Sequence, residues 1–109
     1  MKYKRRYIIV SFEESFSEGA ENMLINTFCE LYGKINFALS GFRLFYFDKN
    51  EKLMIFRCFH NYLDEYRATV FMLHDGNKKL QARTLFVTGT YKKAKKLITF
   101  LKRKDELKL

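Results

Sequence analysis

Four lysines lie close together in the stretch VTGTYKKAKKLITF at 87–100. The apolar residues after Thr90 recur at the spacing of one helical face, which predicts a helix that begins at Thr90, with the Thr90 hydroxyl capping its first turn. A helix N-terminus already carries about half a positive charge, so cations placed there repel it and one another. The pattern favours an anion site; the alternative is a solvated face on which each misplaced charge costs about 0.3–1 kcal/mol. The lysines concerned are Lys92, Lys93, Lys95 and Lys96.

Residues that could support enzymatic catalysis are few and unsuitably spaced. The two histidines are not spaced as metal ligands, and neither cysteine lies near a histidine in a zinc-binding pattern. Asp64 and Glu65 are adjacent on a predicted helix, so they point in different directions and make a poor acid–base pair. The sequence also has no phosphate-binding glycine loop and no nucleophile elbow. We therefore predict no catalytic residue, no metal ligand and no cofactor bound by the protein.

Charge is distributed unevenly along the 109 residues, whose net charge is +9. Residues 1–6 carry +4 and residues 89–109 carry +6, so the region between them is close to neutral. Basic ends on a nearly neutral body suit a polyanionic partner such as nucleic acid. The length predicts one domain, 1–109, and the two cysteines in apolar surroundings predict reduced thiols in the cytoplasm. No stretch is long and apolar enough to predict a signal peptide or a membrane span.

The order of predicted elements is βαββαβ followed by a helix. This order is typical of the ferredoxin-like or RRM-like α+β fold, in which right-handed crossovers give a four-stranded antiparallel sheet of order 4-1-3-2. Gly33 is predicted to end the first helix, Ser17 (or Ser15 with Glu18) to begin it, and Asn61 and Gly76 to bound the second. The predicted strands are 3–12, 42–47, 52–60 and 80–90; the predicted helices are 17–32, 62–76 and 90 onward, with a loop at 34–41.

This topology brings distant basic residues to one edge of the sheet. The third and fourth strands run antiparallel to the first, so their ends lie beside its beginning. The lysines after the fourth strand therefore meet the start of the chain, together with residues of the second and third strands. The residues predicted at this edge are Lys4, Arg5, Arg6, Arg43, Arg57 and His60.

The sheet face away from the first two helices is predicted to be apolar. An uncovered apolar face is usually functional, and three coverings are open: the last helix, a partner protein, or stacked nucleobases as in RNA-recognition motifs. The glycine-and-aromatic signature of that motif is absent from KLMIFRCF, so a protein covering is favoured over bases. The residues predicted to form a protein-partner face are Tyr7, Ile9, Ile55 and Phe59.

Three segments in one colinear order resemble a known family. ELYGKINFALSGFRLFYFDKNEKLMIFRC, YLDEYRAT and VTGTYKKAKK are similar to the protein component 2 family of ribonuclease P from archaea and eukaryotes. The most specific match is the turn into the basic helix, followed by Arg57 and Cys58 at the end of the third strand. The turn comprises Thr88, Gly89, Thr90, Lys93, Ala94 and Lys95.

The resemblance implies a non-catalytic subunit of the ribonucleoprotein that removes the 5′ leader of precursor tRNA. In that family the RNA is the catalyst, with Mg²⁺, and the protein supports the catalytic domain of the RNA together with protein component 3, with self-association in a heterotetramer. The residues expected to bind RNA are Lys4, Arg5, Arg6, Arg57, Thr88, Gly89, Thr90, Lys92, Lys93, Lys95 and Lys96. Two alternatives are a stand-alone RRM-like single-stranded RNA-binding protein and a regulatory module that binds a small ligand at a dimer interface.

Overall fold

A four-stranded antiparallel sheet organises the chain. The structure, a computed structural model, describes residues 4–13, 19–75 and 78–107. The sheet has the order β2-β3-β1-β6. Because β6 is the fourth strand predicted from the sequence, this is the predicted order 4-1-3-2 counted from the other edge, and the α+β fold class is confirmed. The elements are β1 (Arg5–Phe12), α1 (Ala20–Tyr32), α2 (Lys34–Leu39), β2 (Arg43–Asp48), β3 (Leu53–Phe59), α3 (Leu63–Phe71), β4 (His74–Asp75), β5 (Lys78–Lys79), β6 (Ala82–Thr88) and α4 (Tyr91–Leu107).

The larger core lies between the sheet and the pair of helices α1 and α3. Alternation along β1 and β3 directs Ile8, Val10 and Phe56 towards these helices. Phe28 of α1 and Tyr66 of α3 are fully buried there and stack with ring centroids 4.4 Å apart. The helices α1 and α3 thus cover one face of the sheet, here called the helix face, and α4 covers the opposite face, here called the α4 face.

A short helix, α2, replaces the loop predicted at 34–41. It follows Gly33, whose φ of 92° is unfavourable for other residues and whose N–H donates to the Cys29 carbonyl at 2.8 Å. The Phe37 ring packs against Phe28, with centroids 6.1 Å apart, so tertiary packing supports a helix too short to be stable alone. The loop prediction was wrong because the exposed apolar residues of this segment obscure its helical pattern.

The end of α2 is joined to α3 by buried hydrogen bonds. Ser40, which is fully buried, donates from Oγ to the Phe37 carbonyl at 2.7 Å. Its single hydroxyl proton is then committed, so the Tyr66 hydroxyl, 2.6 Å away, donates to Ser40 Oγ. This network ties α2 to the larger core.

The start of the second helix predicted at Asn61 was wrong. The N-cap of α1 is Gly19, without a side-chain hydrogen bond; the predicted caps at 15–18 lie outside the described residues. Asn61 lies inside a 3₁₀ turn (His60–Tyr62), and Tyr62 precedes α3 without a side-chain cap.

The predicted end of the second helix was also wrong. Instead of continuing to Gly76, α3 ends at Phe71, where the chain turns so that Leu73 is buried and His74 Nε2 lies 2.8 Å from Glu30 Oε2. The two-residue strands β4 and β5 follow.

Candidate nucleic-acid interface

The last helix, α4, lies across the second face of the sheet. Its Ala94 and Ile98 side chains pack against Tyr7, Ile9 and Ile55 in a second, smaller core. Tyr7 is 8% exposed, and Ile9 and Ile55 are fully buried. Among the three coverings considered from the sequence, the structure therefore has the last helix.

The four residues predicted as a partner face do not behave alike. A partner that docked on Tyr7, Ile9 or Ile55 would first have to displace α4. Phe59 is half-buried and lies over Gly41: a Cβ added to Gly41 would come within 2.6 Å of the Phe59 ring. Gly41 also has a φ of 70°, so both space and backbone conformation require glycine there.

The start of α4 has the cap predicted from the sequence. Lys93 N–H donates to Thr90 Oγ1 at 3.2 Å, and Thr88 Oγ1 donates to the Thr90 carbonyl at 2.9 Å. The first turn contains no acidic residue. Gly89 is exposed and has open space where a side chain would begin.

The predicted lysines of α4 are all solvent-exposed: Lys92, Lys93, Lys95 and Lys96. Three of them line a shallow groove with Tyr91 and Thr99. Lys95 Nζ lies 5.6 Å from the centre of the Tyr91 ring, close enough for a cation–π interaction. No residue among those described makes an ion pair with these lysines, so their charges are available to an anionic ligand.

An aromatic cluster holds the beginning of α4 on the sheet. The ring centroid of Tyr91 is 5.0 Å from that of Phe45 and 5.9 Å from that of Tyr7, and Tyr7 and Phe45 are 5.4 Å apart. A β-bulge between Leu44 and Tyr46 allows Phe45 and Tyr46 both to contact this face. Phe45 was not predicted on this face, because a bulge breaks the alternation from which faces are predicted.

Two arginines lie beside the same aromatic cluster. Arg57 is the cross-strand neighbour of both Arg43 and Tyr7. The Cζ atoms of Arg43 and Arg57 lie 5.0 Å and 5.5 Å from the centre of the Phe45 ring. Arg57 Nε donates to the Gly41 carbonyl at 3.2 Å. The sheet thus brings both predicted arginines onto the face from which the α4 lysines extend.

The basic residues that begin β1 divide between the two faces. Arg5 pairs with Phe59 and therefore shares the α4 face, whereas Arg6 pairs with Cys58 on the helix face. Lys4 and Arg5 are exposed, Arg6 is half-buried, and His60, which is also exposed, donates its N–H to the Lys4 carbonyl at 2.7 Å. Tyr7 pairs with Thr88, so the topology brings this end of β1 beside the turn into α4. Arg6 is therefore turned away from the lysines.

An ion pair between Lys102 of α4 and Asp48 of β2, here called the tether, was not predicted from the sequence. Lys102 Nζ lies 2.9 Å from Asp48 Oδ2, and Asp48 also accepts hydrogen bonds from Tyr46 and from the backbone of the following turn. Chiefly through the Lys102 hydrogen bond, the pKa of Asp48 is lowered from 3.8 to about 2. The available signal was the position of Lys102 one turn after Ile98, on the face of α4 that packs on the sheet.

The groups considered for catalysis do not converge in the described part of the chain. Both cysteines are free, and burial, with a smaller contribution from Glu65, raises the pKa of the Cys58 thiol to about 12, which makes it a poor nucleophile. Among residues 4–13, 19–75 and 78–107, no three metal-binding side chains are grouped to share an ion. No helix in these ranges is long and apolar enough to cross a membrane. What the geometry offers is a positively charged, partly aromatic surface.

Comparison with known proteins identifies the family. The model of the Rpp14/Pop5 family matches residues 6–99. Ribonuclease P protein component 2 of Pyrococcus abyssi is 30% identical over 100 residues, which cover 88% of this chain and 85% of that protein. The same component of Pyrococcus horikoshii is also 30% identical, covering 88% and 83%.

A chain in the cryo-EM structure of yeast ribonuclease MRP has the same fold, with a TM-score of 0.61 at 13% identity, covering 99% of this chain and 95% of that chain. The sequence motifs, the sheet topology and the family match agree, and the chain belongs to the Rpp14/Pop5 family, as its resemblance to ribonuclease P protein component 2 predicted.

Proposed function

We propose that this protein is a non-catalytic subunit of ribonuclease P, which binds and stabilises the catalytic domain of the ribonuclease P RNA for removal of the 5′ leader of precursor tRNA. Family membership supports a subunit of this class of ribonucleoprotein. The observation that carries RNA binding is the surface formed by the start of α4 and the adjoining ends of β1 and β3, where exposed lysines and arginines have no carboxylate partner among the described residues.

In this proposal the protein contributes position and charge, and the RNA performs the hydrolysis. Lysines at the start of α4 neutralise RNA phosphates, while the backbone N–H groups that follow Thr90 provide further donors to a phosphate. Gly89, which lacks a side chain, allows the RNA backbone to approach this turn closely. Mg²⁺ is assigned to the RNA, and no step is assigned to an ion held by the protein.

Protein contacts complete the proposal. Protein component 3 is the proposed partner, with self-association in a heterotetramer, in the cytoplasm. Phe59, the last residue of β3, is the member of the predicted partner face that a partner can reach without displacing α4. The alternative of a stand-alone protein that stacks bases on the sheet has less support, since α4 covers the central strands.

Reconstitution tests the subunit assignment. The RNA-free protein should not cleave precursor tRNA, whereas cognate ribonuclease P RNA with component 3 should remove the 5′ leader in Mg²⁺ more efficiently when this protein is added. Cleavage by rigorously RNA-free protein would contradict the non-catalytic role. Leader removal unaffected by the protein would contradict the subunit role.

Salt dependence tests the phosphate interactions directly. Replacing Lys92, Lys93, Lys95 and Lys96 by glutamine should reduce the slope of log affinity against log salt by about 0.7–0.9 for each phosphate that is no longer neutralised, and by up to about 3 in total. A matched control replaces four exposed cations elsewhere on the molecule: Lys49, Arg67, Lys79 and Arg83. An equal reduction in both variants would indicate a general effect of net charge, and no reduction in the first would exclude the site.

A further inference from the structure

Two like-charged guanidinium groups, those of Arg43 and Arg57, lie around one aromatic ring on the α4 side of the sheet. Arg43 and Arg57 are directly opposite one another on β2 and β3, and like charges in that position destabilise a sheet. Neither has a carboxylate within ion-pair distance among residues 4–13, 19–75 and 78–107. Phe45 offsets part of the repulsion, since both Cζ atoms lie within 5.5 Å of its ring centre.

Arg57 is also held in a defined orientation. Arg57 is half-buried, and its Nε already donates to the Gly41 carbonyl, which leaves the two terminal Nη groups of its planar fork for a ligand. Arg43 is exposed beside the same ring. A guanidinium held by a backbone hydrogen bond and an aromatic ring loses less conformational freedom on binding than a free lysine does.

We propose that Arg43 and Arg57 form a phosphodiester clamp, in which the two guanidinium groups on Phe45 bind one phosphate, or two consecutive phosphates, of an RNA strand. This inference rests on the proposed RNA-binding function. It assigns Arg43 to the interface and gives the arginines a role that differs from that of the lysines: the clamp fixes the position of one backbone segment through bidentate hydrogen bonds, whereas the α4 lysines act as point charges.

The surroundings favour RNA over an acidic protein segment as the ligand. Arg57 is adjacent to Tyr7, which contacts Tyr91 at the start of α4, so the clamp is continuous with the exposed lysines. A phosphodiester chain carries one negative charge at every nucleotide and can therefore meet both the arginines and the lysines along this row, whereas an acidic protein segment carries charge only at its Asp and Glu residues.

The test compares two double variants with a matched control, using in vitro transcribed cognate ribonuclease P RNA. Arg43→Gln with Arg57→Gln should weaken binding about tenfold or more, as expected when charge-assisted hydrogen bonds are removed. The salt slope should fall by about 0.7–0.9 for a clamp on one phosphate and by about 1.4–1.8 for a clamp on two. Arg43→Lys with Arg57→Lys should keep the slope but reduce affinity about fivefold, since lysine has no planar fork. Arg67→Gln with Arg83→Gln, which removes two exposed charges away from Phe45, should leave affinity close to that of the wild type.

The outcomes separate this inference from the proposed function. Failure of the wild-type protein to bind the RNA would remove both. Normal binding by the wild type and by the Arg43/Arg57 glutamine variant would overturn the clamp alone, as would equal losses of affinity in the Arg67/Arg83 control. If the Arg43/Arg57 glutamine variant kept its RNA affinity but no longer bound component 3, the clamp would be overturned in favour of an acidic protein ligand. Since Arg57→Gln removes the Gly41 hydrogen bond, Arg43→Gln alone, at an exposed position, keeps the test independent of folding.

Discussion

The two faces of the sheet are built on different principles. The face towards α1 and α3 buries a large, wholly internal core in which Phe28, Phe56 and Tyr66 interlock. The face towards α4 has a small core at the centre, bordered by Tyr91, Phe45 and two arginines at one end and by a charged tether at the other. The first face buries more apolar side chains and is expected to contribute more to stability, whereas the second carries the cationic and aromatic groups of the proposed RNA interface.

The largest expected effect contrasts the two cores. Phe28→Ala should lower the free energy of unfolding by about 3–5 kcal/mol, because it leaves a cavity among closely packed rings. Ile98→Ala on α4 should cost about 2 kcal/mol, the low end for such truncations, because a helix on the outer layer can settle into the space. Urea denaturation of both variants measures the difference. Equal losses of stability would show that the two faces contribute alike.

A smaller effect tests how the larger core satisfies its polar groups. Ser40→Ala should cost about 1–3 kcal/mol, since it leaves the buried Tyr66 hydroxyl without an acceptor. Tyr66→Phe should cost only about 0.5–1.5 kcal/mol, because Ser40 still donates to the Phe37 carbonyl. The double variant shows whether the effects share one hydrogen bond. A greater loss of stability for Tyr66→Phe than for Ser40→Ala would contradict the proposed donor direction.

Reversing one charge at the start of α4 should stabilise the free protein. Lys93→Glu places an acidic residue three positions after the Thr90 cap, which completes a capping box and should stabilise the free protein by about 0.5–1 kcal/mol. The same change should weaken RNA binding, because it removes a positive charge from the proposed interface. Lys96→Glu is the control, since it reverses the same charge beyond the first turn. Equal stabilisation by both variants would exclude capping as the cause.

The smallest effect concerns the tether between Asp48 and Lys102. The pKa of Asp48 in the folded protein, about 2, lies below its ordinary value of 3.8. Its stabilising contribution is therefore present above about pH 4 and disappears as the pH falls towards 2.

Thermal denaturation should accordingly show a difference between the wild type and Asp48→Asn at pH 5 that vanishes near pH 2. Glu21→Gln, which removes a carboxylate from α1, controls for the change in net charge. A difference between wild type and Asp48→Asn that did not change over this range would exclude the tether.

Features that depend on neighbouring residues in the sequence were largely predictable, whereas features that depend on tertiary packing were not. Thr90 was identified as a cap because its residue type and the helical pattern after it are adjacent in sequence. The position of Arg57 at the sheet edge where α4 begins followed from the order of the elements. Phe45 was missed because a bulge shifts the alternation of β2. The helix α2 was missed because its apolar residues Ile35 and Leu39 are exposed and only Phe37 packs on the core, which obscures the helical pattern. The covering of Ile9 and Ile55 by α4 stayed open because an apolar face does not specify its partner.

The central position of β1 has a consequence for the order of folding. This strand precedes both of its neighbours in sequence, since Arg5 pairs with Phe59 and Tyr7 with Thr88, so both neighbours are synthesised much later. Closing such long loops makes non-local pairing slow, and during synthesis the run Ile8, Ile9 and Val10 waits without a partner. Charged residues beside an apolar strand hinder its self-association. We therefore expect Lys4, Arg5 and Arg6 to hinder self-association of this strand on the nascent chain, whatever they contact in the folded protein.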